Sequence, residues 1–334
     1  MSTDVHPTDD AKSLSGETLC DIEYPHSFPN AYSNTSCLWR TKSTWSEIIF
    51  VVSVLVSRSL FGYSLIGFPT LLPTLVDTFN LEGTSSTWLV SAVPLVLSTF
   101  FIPFRRLAER VGMLLVFQCG LAWNLVWTLL AGTSTSYTML IACRAMQGLG
   151  GAAHFLSGAT LLNSLYAPGP RRERAFFMYE SMEVLGSFIG ILVAGLSSQY
   201  LSWQWYFWVS ALLALQALIG VSLTASESVK ACGKMSNVRM DWLGCITTTS
   251  ALISTMCWII ELPNSLQGWW TPYHVAIAVL SIVSLGFAIY VEGWVAKDPL
   301  LPPRILETRG VGPLLVGLFF GCGATGLYVL YAIL

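Results

Sequence analysis

Met139-Leu140-Ile141-Ala142-Cys143-Arg144-Ala145-Met146-Gln147-Gly148-Leu149-Gly150-Gly151-Ala152-Ala153-His154-Phe155-Leu156-Ser157-Gly158-Ala159-Thr160-Leu161-Leu162 is apolar for most of its length and carries one full charge, Arg144. An α-helix needs about 20 such residues to cross the hydrocarbon core of a bilayer. An ionised side chain at mid-span costs about 2.5–3.5 kcal/mol on insertion scales, so Arg144 is expected to face a protein interior and to have a role there. Gln147, three residues on, shares its helix face. Gly148 and Gly150 are small enough to let a neighbouring helix come close.

Working outward, nine segments read as spans: 47–69, 87–104, 113–132, 139–162, 175–198, 203–223, 242–262, 273–294 and 312–333. Hydrophobic residues make up 54% of the 334 and charged ones 11%, too little polar surface for a globule in water, so the expected solvent is lipid. A net charge of −2 without a clustered basic face excludes a nucleic-acid partner. Residues 1–46 are polar, mixed in charge and without an apolar run, and read as a disordered cytoplasmic tail. Asn34 lies there in a glycosylation sequon, which a cytoplasmic tail would leave unused.

Basic residues set the orientation. Arg105, Arg106, Arg110, Arg171, Arg172, Arg174, Lys230, Lys234, Arg239, Lys297, Arg304 and Arg309 fall on alternate connections, and the connections near 70–86, 133–138, 199–202 and 263–272 hold none. By the positive-inside rule the amino terminus is cytoplasmic. Trp88, Trp203, Trp205, Trp269, Trp270 and Trp294 lie near span edges, as interfacial aromatics do. The eight cysteines form no CxxC pair and read as packing residues, not metal ligands. No cofactor is implied. Spans at 47–223 form one six-helix unit, followed by a cytoplasmic loop at 224–241, a helix pair at 242–294, a second loop at 295–311 and a ninth helix at 312–334.

Arg58 is the other mid-span cation, and Glu180 and Glu183 lie in the inner half of the fifth span. Intramembrane ionisable groups find partners or line a path, and Glu183 is a candidate proton site that reaches Arg144 if their depths converge. Arg58 either functions there or ties helices together. His154 reads as a packing residue. No GxSxG, HExxH or Walker pattern supports an enzyme, and no charged ring or carbonyl filter supports a channel.

Cys143–Ala153 resembles the Arg-x-x-Gln-Gly-x-Gly motif in the fourth helix of major facilitator drug:proton antiporters, with Arg144, Gln147, Gly148 and Gly150 matching. Arg105–Gly112 is similar to that family's cytoplasmic gate motif, Gly-x-Leu-Ala-Asp-Arg-x-Gly-Arg-Lys. Leu107, Ala108, Arg110 and Gly112 match; Glu109 replaces the Asp, Arg105 the first Gly, and Met113 with Leu114 the basic pair. Gly186, Gly190 and Gly195 keep the glycine spacing of the antiporters' fifth-helix hinge, with Ser187 and Ile191 at the proline positions. Leu201–Trp208, Met240–Gly244 and Val291–Pro302 resemble further signatures of the fourteen-helix branch, and the fungal aminotriazole-resistance type is nearest over residues 47–334.

The resemblance implies an all-α polytopic membrane protein of major facilitator fold, an N-terminal six-helix bundle plus about three further transmembrane helices. It implies proton-coupled efflux of small amphipathic molecules such as drugs, toxins or secondary metabolites, with Arg144, Gln147, Glu183 and Arg58 in proton coupling. Its partners would be the lipid bilayer, a small-molecule substrate and protons, and its place the plasma membrane, or alternatively the vacuolar membrane. The chain stops at Leu334, inside or at the edge of the ninth helix, so the expectation is either a truncated gene product or a chain that works with a partner supplying the missing C-terminal bundle. The alternative is a truncated, non-transporting membrane protein: a degenerate paralogue, sensor or regulator. The orientation predicts that a protease site inserted at residue 20 is cut only after the membrane is permeabilised, whereas one inserted in the 263–272 connection is cut in intact cells.

Overall fold

The computed structural model describes residues 44–80, 84–166, 169–225, 242–261, 272–295, 311–318, 320 and 321. The first span begins at Thr44, inside the expected tail, and runs through four helical segments instead of ending near 69. Helix α1 (Thr44–Gly62) leads into a π turn (Tyr63–Gly67), a 3-10 turn (Phe68–Leu71) and α2 (Leu72–Phe79). Pro69 and Pro73 each sit in the first turn of a segment, where a missing N–H is tolerated, so the chain changes helical pitch without breaking. Asn80, at φ 49°, ends it in the left-handed conformation of a helix C-terminus.

Helix α3 (Thr84–Val111) is longer than the expected 87–104 and contains Pro94 and Pro103. The supposed gate loop is therefore largely the last turns of α3: Leu107, Glu109 and Arg110 are helical, and Gly112 alone makes the turn into α4 (Met113–Gly132). Gly112 has φ 119° and nothing within 4 Å of a built Cβ, so backbone conformation, not space, requires glycine there.

Helix α5 (Tyr137–Leu165) starts at Ser136, whose hydroxyl accepts from the Met139 N–H. Then come α6 (Pro170–Gln199), α7 (Gln204–Thr224), α8 (Trp242–Glu261) and α9 (Pro272–Tyr290) with a closing π turn (Val291–Val295). Residues 311–318 are helical. The sequon at Asn34, most of the 224–241 and 295–311 loops and residues 322–334 of the ninth span lie outside the described residues.

Among the described residues seven helical stretches are long and apolar enough to cross a membrane, and α5 is not among them. Arg144, Gln147, His154 and its glycines lower its hydropathy, yet those same residues are buried. Helix α5 packs against both α3 and α4 and is the polar spine of an apolar bundle. Large apolar side chains such as Val184, Leu223 and Ile282 point outward, the reverse of a water-soluble surface, so the chain is an integral multi-pass membrane protein. Two apolar cores stack along the bundle, one around Phe50, Phe117 and Tyr179, the other around Phe68, Trp203 and Phe207. Trp203 is buried against Phe79 and Phe207, so it is a packing residue and not an interfacial one.

Helices α1 and α6 cross at backbone contact. A Cβ on Gly186 would fall on the Ser59 carbonyl, and one on Gly190 would lie 2.9 Å from the Tyr63 carbonyl oxygen. Gly62 and Gly67 of the first span complete the seam. Gly195, expected with them, has nothing within 4 Å. Its place in the glycine series reflects spacing alone. Overpacking a close crossing costs about 1–3 kcal/mol. Gly186→Ala is therefore expected to lower the melting temperature in nanodiscs measurably, and Gly195→Ala to leave it unchanged or slightly raised.

Candidate functional site: two buried arginines

Arg144 is 1% exposed and its guanidinium reaches across from α5 to the first span. Nη1 donates to the Ser64 hydroxyl (2.9 Å) and to Gln147 Oε1 (3.1 Å), and Nη2 donates to the Ser64 carbonyl (3.0 Å). The guanidinium carbon stands 3.8 Å from the centroid of the Phe68 ring. Local sequence explains why Ser64 is the acceptor. A π turn bonds i to i+5, which would pair the Ser64 carbonyl with residue 69, and residue 69 is proline and has no N–H. The preceding carbonyl, of Tyr63, likewise accepts from a side chain, the Tyr206 hydroxyl at 2.6 Å, while the Tyr63 hydroxyl donates to the Tyr206 carbonyl at 2.7 Å.

Gln147 carries the network onward into α4. Its Nε2 donates to Thr128 Oγ1 (3.2 Å), Thr128 donates to Asn124 Oδ1 (3.3 Å), and Asn124 Nδ2 returns to the Gln147 carbonyl (3.3 Å). Gly148 and Gly150 make this approach possible. A Cβ on Gly148 would sit 2.7 Å from the Val93 carbonyl oxygen of α3, and one on Gly150 would sit 2.9 Å from the Asn124 nitrogen of α4.

Arg58 forms the second centre. Its Nη2 lies 2.5 Å from Glu180 Oε2 and 2.5 Å from Glu183 Oε2, both on α6. The guanidinium is 6% exposed and packs over Phe155 (4.2 Å), Tyr179 (5.2 Å) and Phe61 (5.5 Å). Tyr179 is held by a hydrogen bond to the Phe155 carbonyl (3.1 Å). His154 is buried next to Phe155 with no hydrogen-bond partner on Nδ1. Glu183 thus pairs with Arg58, correcting the expectation that it reaches Arg144; Arg144 is held by neutral oxygens instead.

The remaining expected residues lie apart from both centres. Glu109 is 3.5 Å from Arg105 and 3.8 Å from Arg106, so these pairs link neighbouring turns of α3. At the same end of the bundle Tyr166 donates to Glu47 (2.9 Å), tying α5 to α1; burial, then the bond to Glu47, push its phenol up to about 12. Sequence reading missed Ser64, Thr128, Asn124, Tyr63, Tyr206 and the rings around Arg58. Pro69 was the one legible sign that a main-chain acceptor would be free near Arg144.

Residues 54–334 match the Major Facilitator Superfamily. The chain is 30% identical over 300 residues to the efflux pump terJ of Aspergillus terreus, across 87% of this chain and 57% of that protein. It is 28% identical over 296 residues to the aminotriazole resistance protein of Saccharomyces cerevisiae, across 87% of this chain and 54% of that protein. It therefore spans little more than half the length of these relatives. A crystal structure of the peptide transporter POT in complex with sulfate superposes with a TM-score of 0.55 at 18% identity, over 73% of this chain and 52% of that one, a likeness of fold alone. The matching segment, the all-helical bundle and the glycine-packed spans agree, and the chain belongs to the major facilitator superfamily.

Proposed function

We propose that this chain forms the amino-terminal part of a proton-coupled efflux transporter for small amphipathic molecules. The observation that carries the reading is the charge count at Arg58. One guanidinium faces two carboxylates, so with both ionised the cluster carries a net negative charge beside a buried arginine. A proton on Glu180 or Glu183 removes it. Glu180 is 59% exposed and Glu183 28%, so the carboxylates are accessible where the 6% exposed Arg58 is not.

Proton gain and loss would then change how tightly α6 is held to α1, and differential stabilisation of two states is what a two-state transporter needs. Arg144 has a different task in this reading. It fixes the pitch change of the first span while Gln147 links it to α4, which keeps α1, α4 and α5 in one register. The names of the relatives support efflux: besides the two above, a puromycin resistance protein of Streptomyces alboniger is 30% identical across 74% of this chain. Plasma membrane is the favoured destination, ahead of the vacuole, and the charged end of α3 is the candidate cytoplasmic gate.

Vesicle export driven by an imposed pH gradient tests this, using the chain as it is expressed in its native host. Glu180→Gln with Glu183→Gln is expected to abolish the dependence of export on the gradient. Arg144→Lys, which loses the forked geometry that meets both Ser64 oxygens, is expected to slow export about tenfold or more while leaving the shape of the pH profile intact. Gradient-independent binding of amphiphiles with no export in any variant would sink transport and leave the sensor or regulator reading.

A further inference from the structure

An apolar groove of about 340 Å³ opens on the outside of the bundle between α3, α4 and α5. Phe104 and Leu107 of α3, Leu115 and Trp123 of α4, and Leu149 and Ala153 of α5 form its walls. Its depth comes from the close α4–α5 crossing, where a Cβ on Gly120 would lie 2.7 Å from that of Ala153. The rim is exposed: Leu115 is 53% and Trp123 42% accessible.

Three features identify the occupant. The walls are almost wholly carbon, whereas a site for a polar solute needs placed hydrogen-bonding groups. From the start of α4 at Met113 to Trp123 the helix rises about 15 Å, half the roughly 30 Å hydrocarbon core. The groove therefore has the depth of one leaflet, measured from the end of the bundle that carries Arg105, Arg106 and Arg110. At that mouth Arg105 and Arg106 both lie against Glu109, while Arg110 is exposed beside Val111 of the groove and has no ion pair among the described residues. We propose that this groove binds one acyl chain of an anionic phospholipid from the leaflet at the basic end, with Arg110 meeting the phosphate.

The lipid buttresses α3 and α4 on both sides of the Gly112 turn, the segment that resembles a gate. Its binding depends on neither transport nor the Arg58 cluster. Native mass spectrometry of the purified chain, released from mixed phosphatidylglycerol and phosphatidylcholine, tests the site. Wild type is expected to retain one phospholipid, with phosphatidylglycerol favoured about fivefold, the contribution of one arginine at a membrane surface. Arg110→Gln is expected to remove the preference but keep a lipid. Cys119→Trp, which fills the groove, is expected to remove the lipid, and Leu115→Trp at the rim provides a second filler should the first fold poorly. Retention that survives both fillers, a preference that survives Arg110→Gln, or a groove occupied by a second copy or another protein segment with no lipid bound would each overturn the proposal.

Discussion

Proline at 69 removes a donor from a helix that crosses lipid, and the chain around it is arranged to meet that loss. Inside a bilayer no water satisfies a stranded carbonyl, and each unsatisfied group costs several kcal/mol. The first span answers with a π turn that presents the Tyr63 and Ser64 carbonyls sideways, one to the Tyr206 hydroxyl and the other to Arg144. The solution fixes three helices at once, because Tyr206 belongs to α7 and Arg144 to α5. It also holds an otherwise costly buried guanidinium with no carboxylate paired to it among the described residues. Two oxygens of Ser64, the Gln147 amide and the Phe68 ring take the place of water. Truncating Arg144 would leave both the carbonyl and the Gln147 amide short of a partner.

Arg58 lies on the same span as Ser64, the acceptor for Arg144, and shows the opposite chemistry: it too is buried, but it is paired with charge. Glu180 and Glu183 are three apart on α6, so they present a single face to Arg58, and Gly186 one turn later lets α6 come within reach of α1. The two arginines divide the labour. One is held by neutral dipoles; the other is held by carboxylates, with aromatic rings in place of further acceptors. Two buried charges of the same type thus have distinct physical behaviour because of what each faces.

Much of this was legible in the sequence. Apolar run length gave the helices, and the lone Arg144 with Gln147 and the glycines marked the spine, because a charge in lipid must be explained wherever it stands. Helix ends were less legible. The first span reads as ending near residue 69, yet Pro69 begins a new turn of the same span, and Leu107–Arg110 reads as a loop although a single positive-φ glycine suffices for the turn. Pairing between distant helices was not legible. Nothing in one dimension separates Glu183 facing Arg58 from Glu183 facing Arg144; the choice rests on which face of α6 the glycines press against α1. The same holds for Gly195, which shares a spacing with Gly186 and Gly190 but lies past the crossing, where the helices have separated.

The account stands on Arg58 and its carboxylates being the titrating centre while Arg144 is a fixed brace. Infrared difference spectroscopy between acidic and alkaline pH on the membrane-embedded chain measures this directly, through the carboxylic-acid carbonyl band. A protonated-carboxyl signal that vanishes in the Glu180→Gln, Glu183→Gln double variant and persists in Arg144→Lys is the predicted result. A signal unchanged in the double variant, or one lost on Arg144→Lys with the fold intact, would contradict it.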